Sequence, residues 1–101
     1  MTPEKVLAVA NMYCGVIVLQ LSGSAEEILE GYLVSDGEDP IYHVLLGEDF
    51  RETLLRHALW MCKKIPELAA DKQNRWLGFV QGILWANGVF TIGEMRGHNR
   101  S

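Results

Sequence analysis

The sequence predicts a mainly α-helical fold, a small bundle of four to five helices that forms a single domain over residues 1–101. Three observations lead to this class. Apolar residues recur at intervals of three and four in several segments, which is the spacing of one helix face. Helix-capping patterns precede three of these segments. The chain is also 49% hydrophobic and 22% charged, an ordinary globular composition that can bury one core without metals or disulfides.

The first predicted helix covers residues 3–21. Thr2 supplies a hydroxyl cap, and Pro3 occupies a first-turn position where its missing N–H costs nothing. The helix should end before Ser22-Gly23. No charged residue lies within residues 6–25, a pattern that a signal peptide or a membrane span would share. Polar residues interrupt the run, so we expect a buried core helix and no membrane partner.

A second helix is predicted at residues 25–34. Ser24 and Glu27 form a capping box, and apolar residues follow at helical spacing. Residues 35–40 concentrate turn-forming residues and are expected to be a loop. The stretch around 32–46 stays open between a short β-hairpin and a further helical turn.

A third helix is predicted at residues 50–65, where Asp49 and Glu52 form a capping-box-like start. Lys63 and Lys64 suit the negative end of the helix dipole, and Pro66 stops the helix. Its broad apolar face indicates a position in the core.

Two more helices complete the predicted bundle. One spans residues 72–87 and ends at Asn87-Gly88, a C-terminal glycine signal. The other is short, spans residues 92–97 and begins with a capping box at Thr91 and Glu94. The predicted main core comprises Leu54, Leu55, Ala58, Leu59, Trp76, Phe79, Val80 and Ile83.

The fourth predicted helix carries a stripe of small residues. Gly78, Gly82 and Ala86 recur every four residues, flanked by Trp76 and Trp85. Because the stripe has almost no side chain, another helix can approach it closely. We therefore expect these five residues to serve helix packing or self-association. A homodimer is predicted, because the apolar first helix and this stripe together present more apolar surface than five short helices can easily bury.

Charge is distributed unevenly along the chain. Residues 24–52 contain nine acidic residues against one basic residue, whereas residues 53–101 contain seven basic residues against three acidic ones. An acidic segment of this kind suits a partner with a basic surface. The residues predicted to form this acidic surface are Glu26, Glu27, Glu30, Asp36, Glu38, Asp39, Glu48 and Glu52.

The C-terminal half contains a motif of moderate specificity. Its residues are Arg75–Trp85 (RWLGFVQGILW), Gly88, Thr91, Glu94 and Asn99-Arg100. Together with His57 and Met61 in the preceding helix, the motif resembles a group of short, functionally uncharacterised proteins carried by bacteriophages and prophages. The resemblance covers residues 50–100. It implies an origin, a phage or mobile-element accessory protein in a bacterial cytoplasm, and supplies no catalytic or binding residues.

Two acidic pairs support one enzymatic alternative. Glu27 with Glu30, and Asp49 with Glu52, are broadly similar to the carboxylate sets by which helical nucleotide pyrophosphohydrolases hold magnesium against phosphates. However, Glu27 and Asp49 are already explained by helix capping, and turn residues interrupt the long helices that such a site needs. We therefore expect no enzymatic activity and keep a magnesium-dependent nucleotide hydrolase as the alternative.

No cofactor, metal or nucleic acid is expected. The metal-ligand candidates Cys14, Cys62, His43, His57 and His98 lack the spacing of known metal motifs. The formal net charge of −4 argues against nucleic-acid binding. Both cysteines lie in apolar helical patterns and are expected to be buried free thiols, because the sequence does not support a disulfide between them.

The sequence thus favours a cytoplasmic, non-enzymatic phage accessory protein. Its expected partner is a bacterial host protein bound through the acidic surface. Inhibitors of host defence, such as anti-CRISPR proteins, are one class that combines this origin with this charge pattern.

Overall fold

The computed structural model describes residues 1–30 and 50–100, and these residues form helices and the turns that connect them. In chain order the elements are α1 (Pro3–Leu21), α2 (Ala25–Leu29), α3 (Phe50–Lys64), the 3-10 turn η1 (Ile65–Glu67), α4 (Ala70–Ala86) and α5 (Ile92–Asn99). The prediction of a small, mainly helical bundle is confirmed. The alternative hairpin around 32–46 lies outside the described residues.

Helix α1 begins and ends where the sequence predicts. The backbone N–H of Lys5 donates to Thr2 Oγ1 at 3.2 Å, so the hydroxyl cap is formed. At the other end Ser22 adopts a left-handed conformation with φ of 59°, and its N–H donates to the Val18 carbonyl at 2.9 Å. The left-handed conformation of Ser22 ends the helix at Leu21.

Helix α2 is shorter than predicted. Ser24 Oγ accepts the N–H of Glu27 at 3.1 Å, so the helix starts at the expected cap. It ends at Leu29, because Glu30 has φ of −59° and ψ of 123° and leaves the helical conformation. The prediction of helix up to residue 34 is wrong at Glu30, and residues 31–34 lie outside the described part. None of the side chains of α2 is fully buried, so little packing is available to extend a single turn.

The C-terminal end of α4 and the start of α5 follow their sequence signals, whereas α4 begins at Ala70, before the predicted residue 72, and α5 continues to Asn99, past the predicted residue 97. Gly88 takes φ of 72°, the Val89 N–H donates to the Leu84 carbonyl at 2.9 Å, and the Gly88 N–H donates to the Trp85 carbonyl at 3.0 Å. This double closure is a Schellman motif, which needs a residue that tolerates positive φ. At the start of α5, Thr91 and Glu94 form a complete capping box.

The core lies where α1, α3 and α4 meet, with α1 packed mainly on α3 and α3 on α4. Five of the predicted core residues are buried, namely Leu55, Ala58, Leu59, Val80 and Ile83. Leu54 and Trp76 are only partly buried. The prediction for Phe79 is wrong, because its side chain is 59% exposed. The predicted core also omitted the contribution of α1, which is Val6, Val9, Ala10, Tyr13 and Ile17.

Helix α1 is long and apolar enough to cross a membrane, a test that core helices and signal sequences also pass. One side of α1 belongs to the core, with Tyr13 and Ile17 fully buried. Its other side leaves Leu7, Met12 and Leu19 exposed, and Leu19 is 80% exposed. The expectation of a core helix therefore holds for the side that faces α3.

Candidate functional site

Helix α4 has an apolar side that faces away from the core. Toward the core it buries Leu77, Val80 and Leu84 completely. On the opposite side all five residues of a contiguous surface are exposed, and Phe79 and Trp85 are 59% and 53% exposed. This surface, the outer face of α4, consists of Gly78, Phe79, Gly82, Trp85 and Ala86.

The small-residue stripe lies in the middle of this outer face. In the part of the chain that the structure describes, no atom lies within 4 Å of a Cβ built on Gly78 or Gly82. No described helix therefore packs on the stripe, and the expectation of close helix packing within the chain is not met there. Self-association through these residues stays a prediction.

Trp76, which was predicted to flank the stripe, faces a different neighbour. It is partly buried, and its ring lies 5.8 Å from that of Trp60, measured between centroids. Trp60 in turn stacks on His57 at 5.8 Å, and the Lys72 ammonium lies 6.0 Å from the Trp76 ring. Trp76 thus joins α4 to α3 and does not take part in the outer face.

The outer face continues beyond the end of α4. Trp85 also lines an open depression of about 520 Å³, together with Val89, Phe90, Ile92 and Glu94. Ile92 is 47% exposed. The exposed apolar surface therefore runs from the middle of α4 to the start of α5.

Part of the predicted acidic surface is described, and it is exposed. Glu27, Glu30 and Glu52 line a depression of about 260 Å³ between α2 and α3, and Arg56 lies in the same depression. Arg56 Nη2 forms an ion pair with Glu52 Oε1 at 3.1 Å. Glu26 lies beside them on α2 and is exposed as well. The other predicted members of this surface lie outside the described residues, namely Asp36, Glu38, Asp39 and Glu48. Asp49, which the alternative hydrolase would use, lies outside them as well.

The described metal-ligand candidates do not form a group of three. Within residues 1–30 and 50–100, no three His, Cys, Asp or Glu side chains converge so that they could hold a metal ion. His57 stacks on Trp60, and His98 contacts Tyr13 and Phe90. His43 lies outside the described part of the chain.

A polar network that the sequence did not reveal joins three helices. Tyr13 on α1 is fully buried, and its hydroxyl accepts a hydrogen bond from Gln81 Nε2 at 3.0 Å and pairs with His98 Nδ1 at 2.8 Å. Gln81 also donates to Asn99 Oδ1 at 2.6 Å. Burial raises the pKa of Tyr13, which opposes the lowering by the Gln81 hydrogen bond, so the phenol stays neutral.

This network gives part of the C-terminal sequence motif a structural role. Gln81 and Asn99 both belong to the motif, and their side chains hold α5 against α1 and α4 through Tyr13. His98 adds an edge-on contact to Phe90, with ring centroids 4.7 Å apart. No spacing rule links Tyr13 to a helix that starts about eighty residues later, so sequence inspection could not find the network.

The two cysteines lie 48 positions apart on helices that pack together, Cys14 on α1 and Cys62 on α3. Both are free, Cys62 is 2% exposed, and Cys14 is half-buried. The influence of the Cys62 side chain lowers the pKa of Cys14 to about 7. Burial opposes the shift, and the Lys63 ammonium supports it. The influence of Cys14, together with burial, raises the pKa of Cys62.

Comparisons with known proteins add no assignment. No family model, no curated protein and no solved structure matches this chain.

Proposed function

We propose that this protein acts by binding other proteins and carries out no catalysis of its own. One observation supports this most strongly: the outer face of α4 exposes Phe79 and Trp85 beside a stripe without side chains. Large exposed aromatic residues are costly to leave in water and are enriched at protein–protein interfaces. A flat stripe between them lets a second helix come close.

The occupant that fits the outer face best is the same face of a second copy. If two α4 helices cross antiparallel about a two-fold axis at Gly82, Gly78 of each copy meets Ala86 of the other. The same axis brings Phe79 to Trp85. Small residues then oppose small ones and aromatic residues oppose aromatic ones, which is the self-complementarity that a two-fold interface requires.

The dimer is tested by light scattering at micromolar concentration, where a mass near twice 11.4 kDa is expected. Phe79→Glu should give the monomer mass. Leu19→Glu is the matched control, because Leu19 is even more exposed, at 80%, but lies on α1. A monomeric parent protein, or a Leu19 variant that dissociates as readily, would count against this interface.

The acidic surface is the proposed contact for a bacterial partner with a basic surface. Glu26, Glu27, Glu30 and Glu52 are exposed, as such a contact requires. Exposed charges steer association and set its salt dependence more than they add affinity. Phage origin, a cytoplasmic location in the bacterial host and inhibition of a defence complex extend this proposal, and they rest on the sequence motif and the charge pattern.

Capture from a bacterial lysate tests the acidic contact. The double variant Glu26→Gln, Glu30→Gln should lose a partner that the parent retains at low salt and releases at high salt. The control Glu4→Gln, Glu67→Gln also removes two negative charges, but from the exposed surface of α1 and η1. A partner lost equally by both double variants would show that net charge, not this surface, mediates capture.

The rival function is a magnesium-dependent nucleotide hydrolase. It is favoured by one observation, that Glu27, Glu30 and Glu52 line one depression. Arg56 in the same depression is already paired with Glu52, and a metal would have to compete with that ion pair. Nucleotide hydrolysis by the purified protein with magnesium, abolished by Glu30→Gln with Glu52→Gln, would replace the binding proposal.

A further inference from the structure

We propose that the depression between the end of α4 and the start of α5 is a site for a guanidinium group, and that Arg75 of a second copy occupies it in the dimer. This inference rests on the proposed dimer. It adds the contacts at the two ends of the outer face of α4, where charged and aromatic side chains take over from the small-residue stripe.

The lining of the depression suits a flat cation. Trp85 is 53% exposed and offers the face of an indole ring, on which a guanidinium group stacks favourably. Ile92 is 47% exposed and offers apolar surface to the methylene stem of an arginine. Among the described residues that line the depression, Glu94 is the one with a charged side chain. An indole ring beside a carboxylate therefore attracts arginine through both its ring and its charge.

Glu94 can act as the anion of this site. Its side chain is exposed, and its hydrogen bonds with Thr91 lower its pKa, so the carboxylate is ionised at neutral pH. The Thr91 backbone N–H donates to Glu94 Oε1 at 2.9 Å. A carboxylate offers about four acceptor positions, so helix capping leaves room for the N–H donors of a guanidinium group.

An antiparallel crossing at Gly82 places the opposite end of α4 over this depression. Arg75 precedes Gly82 by seven residues, and Val89, which lines the depression, follows it by seven. The two-fold axis thus brings residue 75 of one copy level with residue 89 of the other. Seven residues are about two helical turns, so Arg75 lies on the same side of α4 as Gly82. The Arg75 of the same chain cannot fill the depression, because about 20 Å of helix lies between them.

Arg75 is exposed and long enough to make this contact. Its side chain is 71% exposed, and its ion pair with Asp71 spans 3.8 Å, so little stability is lost when the guanidinium group changes partner. Crossed helices diverge away from the crossing point, here by about 10 Å along the axis, and a long side chain spans that gap. Lys72 and Arg75 against Asp71 give this end of α4 a net charge of +1, which complements Glu94.

Charge reversal in the full chain tests the site. Arg75→Glu and Glu94→Arg each place like charges together at both symmetric sites, so each dimer dissociation constant should rise about tenfold or more at low salt. An equimolar mixture of the two variants should dimerise about as tightly as the parent, because each site of the mixed dimer again pairs an arginine with a glutamate. Sedimentation equilibrium measures all three constants. Recovery on mixing also excludes misfolding of Glu94→Arg as the cause of its weaker association.

Arg51→Glu is the matched control, because it makes the same charge change at an exposed arginine of α3. Its dissociation constant should stay within about twofold of the parent's. A dimeric parent whose Arg75→Glu variant associates as tightly, or a mixture as weak as each variant alone, would overturn the site and leave the dimer standing. Recovery in the double variant Arg75→Glu, Glu94→Arg without recovery on mixing would place the contact within one chain and overturn it as well.

The orientation of the two helices has its own outcome in the same experiment. In a parallel crossing Arg75 would face its own copy, so a mixture of Arg75→Glu with the parent would dimerise more tightly than either protein alone. That result would overturn the site, since the proposed arrangement gives such a mixture an intermediate dissociation constant. A monomeric parent would remove the dimer itself, and this site with it.

Discussion

The inner and outer sides of α4 both carry apolar residues, but the inner side lies in the core and the outer side is exposed to solvent. On the inner side Leu77, Val80 and Leu84 are fully buried, whereas on the outer side Phe79 and Trp85 are 59% and 53% exposed. The sides differ in shape more than in polarity, because aliphatic side chains fill the core and glycines separate aromatic rings outside. Where a helix carries apolar residues on two opposite sides, as α4 does over residues 76–86, the kind of apolar residue distinguishes the partner-facing side from the core side.

The sharpest test of this comparison replaces one residue on each side. Leu77→Ala should lower the free energy of unfolding by about 3 kcal/mol, because it leaves a cavity in a packed core. Phe79→Ala should lower the stability of the monomer by less than about 1 kcal/mol, because its ring is largely in water already. Urea unfolding at submicromolar concentration measures both. Equal losses would mean that the two sides do not differ as described.

The Tyr13 network at the edge of α4 should have an intermediate effect. Tyr13→Phe keeps the buried ring but removes the hydroxyl that contacts Gln81 and His98. The loss should be about 1 kcal/mol, since two partly buried groups, the Gln81 amide and the His98 ring, lose a partner. Asn99→Ala is the control, because it removes the hydrogen bond between Gln81 and Asn99 and leaves the Tyr13 hydroxyl in place. A Tyr13→Phe protein as stable as the parent would show that the hydrogen bonds of the Tyr13 hydroxyl add no stability beyond the packing of its ring.

Gly82→Ala should change stability in the opposite direction. No described atom lies near the added methyl group, and alanine favours the helix over glycine by about 0.5–1 kcal/mol. The monomer should become more stable while the proposed dimer weakens. Gly88→Ala is the contrast, because φ of 72° there is unfavourable for alanine, and that protein should be less stable. The two unfolding midpoints should lie on opposite sides of the parent's.

The smallest expected effect lies at the start of α5. The Thr91 backbone N–H donates to the Glu94 carboxylate at 2.9 Å, and this bond, with that to the Thr91 hydroxyl, lowers the pKa of Glu94 below its usual 4.5. The pKa of Glu94 is therefore lower in the folded protein than in the unfolded chain. Its ionised carboxylate stabilises the fold above the ordinary pKa, and this stabilisation is lost as the pH falls through the folded-state pKa. Glu94→Gln should remove that part of the pH dependence. Unfolding midpoints of both proteins between about pH 2 and pH 6 provide the measurement, and parallel curves would contradict it.

The helices and their ends could be predicted from sequence because local chemistry determines them. Thr2, Ser24 and Thr91 cap helices through bonds to residues three positions away, and Gly88 stops α4 because its φ is positive. These interactions close within one turn of chain, so a single sequence displays both partners. The prediction that α2 continues through Glu30 is wrong, since the apolar pattern of residues 25–29 does not show that none of these side chains is fully buried.

Tertiary structure alone decided which apolar face looks inward and which distant side chains meet. The periodicity of α4 permits either orientation, and Phe79 was assigned to the core although packing of α1 and α3 on the opposite side left it in water. The Tyr13–Gln81–Asn99 network joins positions separated by 18 to 68 residues. Such contacts arise from how helices pack, and packing depends on the shape of the whole core, which no local pattern encodes.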